Sequence, residues 1–173
     1  ILFLLWLIIS IAGSFTIGWN YHLKARHENP ASENIALTFD DGPTEYTAAV
    51  LDLLKEYKMK ATFFLIGRQV EKYPGLVKRM LNEGHTVGNH TWSHSPATGF
   101  LNARKMEEEI RAADRVLEGL APGKVKFYRP PYGVTNPSVK KAVGKTGHTV
   151  MGWSIRSLDT VISREQKILD RIL

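Results

Sequence analysis

Between residues 34 and 154, short apolar runs alternate with longer stretches in which apolar residues recur every three or four positions. The runs NIALTF (34–39), KATFFLI (60–66), HTVGNH (85–90), VKFYR (125–129) and HTVMGWS (148–154) are short and rich in β-branched and aromatic residues, which predicts strands. YTAAVLDLLKEY (46–57) sets Val50, Leu51, Leu53 and Leu54 at helical spacing. VEKYPGLVKRMLNEG (70–84) reads as a helix that Pro74 starts and Gly84 ends. NARKMEEEIRAADRVLEGL (102–120) gathers Ile110, Ala113, Val116, Leu117 and Leu120 on one side. NPSVKKAVGKTG (136–147) opens as a capped helix with Pro at its first position, and SREQKILDRIL (163–173) continues the pattern. About six alternations of strand and helix predict an α/β fold with parallel strands. A doubly wound sheet and a β/α barrel both fit, and both deliver functional groups at the C-terminal ends of the strands.

Two segments precede this pattern. Residues 1–19, ILFLLWLIISIAGSFTIGW, carry no charge. As one helix they would span about 28 Å, close to the hydrocarbon thickness of a bilayer. The segment is therefore expected to be a membrane anchor, a transmembrane helix, or a cleaved signal segment. Residues 20–34 are polar around Pro30 and read as a linker, leaving 35–173 as the globular domain.

Composition narrows the chemistry. The formal net charge is +6, yet the 23 Lys and Arg are spread among 17 Asp and Glu without a basic stripe, which argues against a nucleic-acid partner. There is no cysteine, so thiolate metal sites and thiol nucleophiles are excluded and any metal must be held by His and carboxylate.

The unusual polar residues cluster at predicted strand ends. Asp40 and Asp41 end the first strand in LTFDDGPT, His90 ends the third, and His94 follows in NHTWSH. Arg129 opens RPPYG after the fourth strand, and Asp159 lies shortly after MGWSI. Two imidazoles four residues apart, on one side of a helical turn, plus a carboxylate make a three-ligand site with open positions, which suits a divalent ion. One aspartate is then neutralised by the metal and the other is free to act as a base.

TFDDGP, HTWSH and RPPYG, in this order, resemble the first three motifs of the polysaccharide deacetylases (carbohydrate esterase family 4, the NodB homology domain), and KATFFLIG and GHTVGNHTWSH are similar to the same family. The resemblance covers residues 35–173. It implies a distorted (β/α) barrel and metal-dependent removal of N-acetyl groups from a chitin- or peptidoglycan-like polysaccharide. It implies Asp40 as catalytic base, Asp41, His90 and His94 as metal ligands, Arg129 as the residue orienting the base, and the backbone N–H of Tyr132 as oxyanion donor. The metal is expected to be Zn2+, with Co2+ or Ni2+ as alternatives. WSIRSLDT is a looser match to the fourth motif and offers Asp159, which would pair with the acid of a fifth motif. No histidine follows Asp159, so the barrel is expected to lack its last strand here and the 173-residue piece to be weak or inactive. Tyr46, Tyr132 and Trp153 are candidates for stacking on sugar rings. The domain is expected outside the cytoplasm, anchored or secreted. Two other readings fit the same residues: a catalytically silent glycan-binding domain, and an iron-dependent oxygenase using the two-histidine, one-carboxylate set.

Overall fold

A computed structural model describes residues 1–173. Six parallel strands form one sheet: β1 (Ala25–Arg26), β2 (Thr38–Gly42), β3 (Thr62–Leu65), β4 (Thr86–Asn89), β5 (Phe127–Tyr128) and β6 (Thr149–Met151). Their order is β1-β6-β5-β4-β3-β2. From β2 to β6 each crossover steps to the adjacent position in the same direction. Right-handed connections then put the intervening helices on one face, the arrangement of a β/α barrel, whereas a doubly wound sheet reverses direction at its midpoint. The sheet is open, with β1 and β2 as its edges.

The helices follow the apolar spacing. They are α2 (Thr47–Glu56), α3 (Gly67–Lys72), α4 (Pro74–Asn82), α5 (Ala103–Leu120), α6 (Pro137–Thr146) and α7 (Glu165–Ile172), preceded by α1 (Leu2–Phe15). The caps use local chemistry. Asn102 Oδ1 accepts from Lys105 N at 3.0 Å, Asn136 Oδ1 accepts from Val139 N at 2.9 Å, and α6 ends where Gly147 takes a φ of 76°. α4 starts at Pro74, as expected, and α3 before it is a separate helix, because Pro74 has no N–H to continue it.

Two apolar clusters hold the layers together. One joins Leu51, Phe63, Leu65, Val77, Met80 and Leu117; the other joins Ile17, Met106, Ile110, Tyr128, Val139 and Val150. Each large side chain fully buried there contributes about 1.5–3 kcal/mol through removal from water.

The N-terminal expectations need correction. No helix of the structure is long and apolar enough to cross a membrane, so the transmembrane and membrane-partner assignments fall. α1 has 14 residues, about 21 Å, well short of the bilayer core. It stops at Thr16 (φ −117°, ψ 83°), and a short 3-10 turn over Ile17–Trp19 follows. The chain then folds back: the Tyr21 ring covers Gly13 so closely that a Cβ there would lie 2.6 Å from Tyr21 Cγ, and Ser10 Oγ and Tyr21 Oη are 2.9 Å apart. The stretch read as a linker also contains structure. Ala25 and Arg26 pair with Val150 and Met151, because Asn20 Oδ1 and the β6 backbone satisfy their polar groups.

Candidate metal centre and active site

Asp40 and Asp41 lie at the C-terminal end of β2. Side chains normally alternate along a strand, so both would not face one mouth. The register shifts here: Phe39 is opposite Phe63 but Gly42 is opposite Leu65, three steps on β2 against two on β3. This bulge, with Asp41 at a φ of 67°, re-aims the second carboxylate.

β4 delivers His90, which is buried. His90 Nδ1 lies 2.6 Å from the carbonyl oxygen of Arg129, and only an N–H can bond there. The proton is therefore on Nδ1, and Nε2 presents its lone pair to the mouth. The segment to His94 is not the expected helical turn. Thr91 and His94 have φ values of 68° and 48°, and Thr91 Oγ1 accepts from the His94 N–H at 3.2 Å. Left-handed backbone at such residues costs about 1–3 kcal/mol each, offset by the packing around them.

His90 Nε2 lies 3.5 Å and His94 Nε2 3.2 Å from Asp41 Oδ1, and the three donor atoms fall within 4.8 Å of one another. Asp41 Oδ1 is buried and has no hydrogen-bond partner, since neither imidazole contact has hydrogen-bond geometry. An orphaned buried carboxylate oxygen between two imidazole nitrogens fits a cation. Asp41, His90 and His94 thus form a possible metal site. The facing His90 ring, first, and the charge that either histidine carries when protonated hold the Asp41 carboxyl below its ordinary range, against burial. Burial, then His90, lowers His94. Both directions favour the deprotonated forms that a metal requires.

Arg129, at the end of β5, is 3% exposed. Its Nη1 donates to Asp40 Oδ1 at 2.7 Å and to Thr38 Oγ1 at 2.8 Å, and its Nη2 donates to the Gly152 carbonyl at 2.7 Å. The guanidinium carbon lies 4.1 Å from the centre of the Phe64 ring and 5.3 Å from that of Trp153. Burial lowers its pKa, opposed by Asp40. With Oδ1 of Asp40 taken by Arg129, Oδ2 is the atom nearer the ligand set, 4.0 Å from His90 Nε2.

Tyr132 sits in the 3-10 turn Pro131–Gly133 with a φ of 58°, and its ring centre is 4.8 Å from that of His94. The exposed carboxylate of Asp159 accepts from Ser157 Oγ at 2.5 Å, and no hydrogen bond or ion pair joins it to Asp40, Arg129 or the three ligands. Tyr46 is exposed beside α2, while Trp153 is half-buried against Arg129. Sequence reasoning missed Thr38, Phe64 and the Gly152 carbonyl. Only Thr38 left a signal, as the one polar residue inside the apolar run IALTF.

A family model described as "Polysaccharide deacetylase" matches residues 27–151. The chain belongs to the polysaccharide deacetylase family. Over 126 residues it is 43% identical to a peptidoglycan-N-acetylglucosamine deacetylase of Bacillus cereus, an alignment covering 72% of this chain and 46% of that protein. The structure of the peptidoglycan deacetylase PdaC from Bacillus subtilis superposes with a TM-score of 0.74 at 36% identity, covering 84% of this chain and 70% of that one. A family 4 carbohydrate esterase from Streptomyces lividans, solved in complex with acetate, gives a TM-score of 0.74 at 32% identity, covering 80% and 71%. The chain spans about half the length of the curated relatives it matches. The family's (β/α) barrel agrees with the sequential strand order of this polysaccharide deacetylase domain.

Proposed function

We propose that this domain removes N-acetyl groups from a wall polysaccharide of the peptidoglycan type, outside the cytoplasm, using a divalent ion held by Asp41, His90 and His94. Zinc is the first choice, because two imidazoles and one carboxylate leave coordination positions open for reactants. When bound, such an ion polarises a carbonyl oxygen and acidifies water. The observation that carries the reading is the buried, partnerless Oδ1 of Asp41 facing two imidazole nitrogens.

The remaining work falls to this chain's own groups. Asp40 is the general base. Arg129 holds its Oδ1, which leaves Oδ2 to receive the proton of the attacking water and to return it to the sugar nitrogen as the C–N bond breaks. The Nδ1–H bond to the Arg129 carbonyl keeps His90 in one tautomer, so the same residue orients both base and ligand. The backbone N–H of Tyr132 donates to the oxygen on which negative charge develops; removing one such donor costs about 2.7–4 kcal/mol in other hydrolases. The rings of Tyr132 and Tyr46 offer flat surfaces to a sugar.

Acetate release from N-acetylglucosamine oligomers in the presence of zinc tests the reading. Wild type should release acetate, slowly because Asp40 alone must return the proton to the leaving amine, and Asp40→Asn should lose roughly 10²–10⁴-fold of that rate while still binding the oligomers. Equal rates for the two proteins would overturn it, as would oligomer binding by wild type without acetate release.

A further inference from the structure

We propose that Ile17 is a positioning residue, which together with the Ser14 carbonyl braces the Tyr132 loop and the carbonyl that fixes Arg129; the catalytic part of this inference rests on the deacetylase reading. Both residues precede the 27–151 span that matches the family. Ile17 is 4% exposed and belongs to the same apolar cluster as Tyr128 and Val150. Its Cγ2 lies 3.2 Å from where a Cβ on Gly152 would be, and 3.8 Å from where one on Gly133 would be. Two glycines, one on each catalytic loop, thus leave room that one isoleucine fills.

The contacts lead directly to the site. Gly152 offers its carbonyl to Arg129 Nη2, and Gly133 directly follows Tyr132. Trp153 packs against Gly133, so tightly that a Cβ there would come 2.7 Å from its ring, and the same ring lies beside the Arg129 guanidinium. Ser14 adds a polar tie: its carbonyl accepts from the Thr135 N–H at 2.9 Å, anchoring the far end of the loop. A loop that holds Tyr132 at a φ of 58° needs fixed neighbours, since nothing intrinsic to tyrosine favours that backbone. The apolar N-terminal segment therefore braces the active-site loops from outside the 27–151 span that matches the family.

The test compares the full, zinc-loaded chain as wild type, Ile17→Ala and Ile17→Val. Valine keeps both γ-carbons and should behave as wild type. In Ile17→Ala, amide hydrogen exchange at Thr135 should accelerate by about 10-fold or more, while the Thr62 and Thr86 amides, bonded to the Leu37 and Ala61 carbonyls, stay unchanged. Acetate release from N-acetylglucosamine oligomers should fall by roughly 10–10²-fold in kcat with KM unchanged, because geometry rather than binding is disturbed. The inference is overturned if Thr135 exchange does not change, if Thr62 and Thr86 accelerate equally, or if exchange changes while kcat does not. Absence of acetate release by wild type would sink the deacetylase reading instead, and the exchange comparison would then decide the brace by itself.

Discussion

Replacing Arg129 with methionine removes one charge from a buried position and leaves Asp40 without its cation. Three well-formed donations are lost, to Asp40 Oδ1, Thr38 Oγ1 and the Gly152 carbonyl, while methionine still fills the slot between Phe64 and Trp153. Breaking a buried ion pair by deleting one partner costs about 3–5 kcal/mol. The Asp40 side chain keeps 30% exposure, so water recovers part of its solvation and the loss should fall at the lower end, about 3 kcal/mol. With a urea m-value of about 1–3 kcal/mol/M, the unfolding midpoint drops by about 1–3 M. Arg129→Lys keeps the charge but not the planar fork, and should lose less stability while still misplacing the base. The double variant Arg129→Met, Asp40→Asn should be less damaged than the two single effects summed, because it removes the stranded charge. A midpoint for Arg129→Met within error of wild type, or strict additivity in the double variant, would refute the ion-pair account.

Three further outcomes follow from the same geometry. Zinc at a hundredfold excess over its Kd should stabilise the chain by about 2.7 kcal/mol, a rise in Tm of about 5–11 °C by scanning calorimetry, and His94→Ala should abolish the rise. Burial holds the His85 imidazole below its ordinary value, and its Nδ1 accepts from the Ala61 N–H at 3.2 Å, which a protonated ring cannot do. The unfolded chain therefore takes up the proton first: stability is full above pH 6.5 and falls as pH drops through 6.5 toward the lower folded value. In His85→Asn, which keeps an acceptor but does not titrate, the urea midpoint should fall less between pH 7.5 and 5.5 than in wild type; equal falls would count against this. Gly88→Ala places a Cβ 2.8 Å from the Phe64 ring and 3.1 Å from the Phe127 carbonyl, so it should destabilise by about 1–3 kcal/mol in urea titrations and disturb the ring on which Arg129 rests.

The pattern of apolar positions located β2 to β6 and most of the helices, because each strand is a short buried run and α5 has a single apolar face. It missed β1, since two residues in a polar stretch carry no periodicity and pair only through a partner far along the chain. It overextended α1, because hydropathy records that residues 1–19 are apolar but not that Tyr21 folds back over Gly13. At the site, His90, His94, Asp41, Asp40 and Arg129 were legible as polar residues at strand ends, and the structure brings them together. The means of convergence was not legible. The bulge at Asp41 and the left-handed turns at Thr91 and His94 are not marked by glycine; Asp and His enter such backbone only more often than most residues, and a β-branched threonine rarely does.

The placement of β1 sets the timing of assembly. Its partner β6 lies about 125 residues downstream, so Ala25 and Arg26 cannot join the sheet until Val150 and Met151 are available. Contacts this distant in sequence carry a large loop-closure cost before any return, and they slow folding. On a ribosome, β1 would emerge long before the edge that receives it, and until β6 followed its backbone groups would stay unpaired and open to wrong pairing.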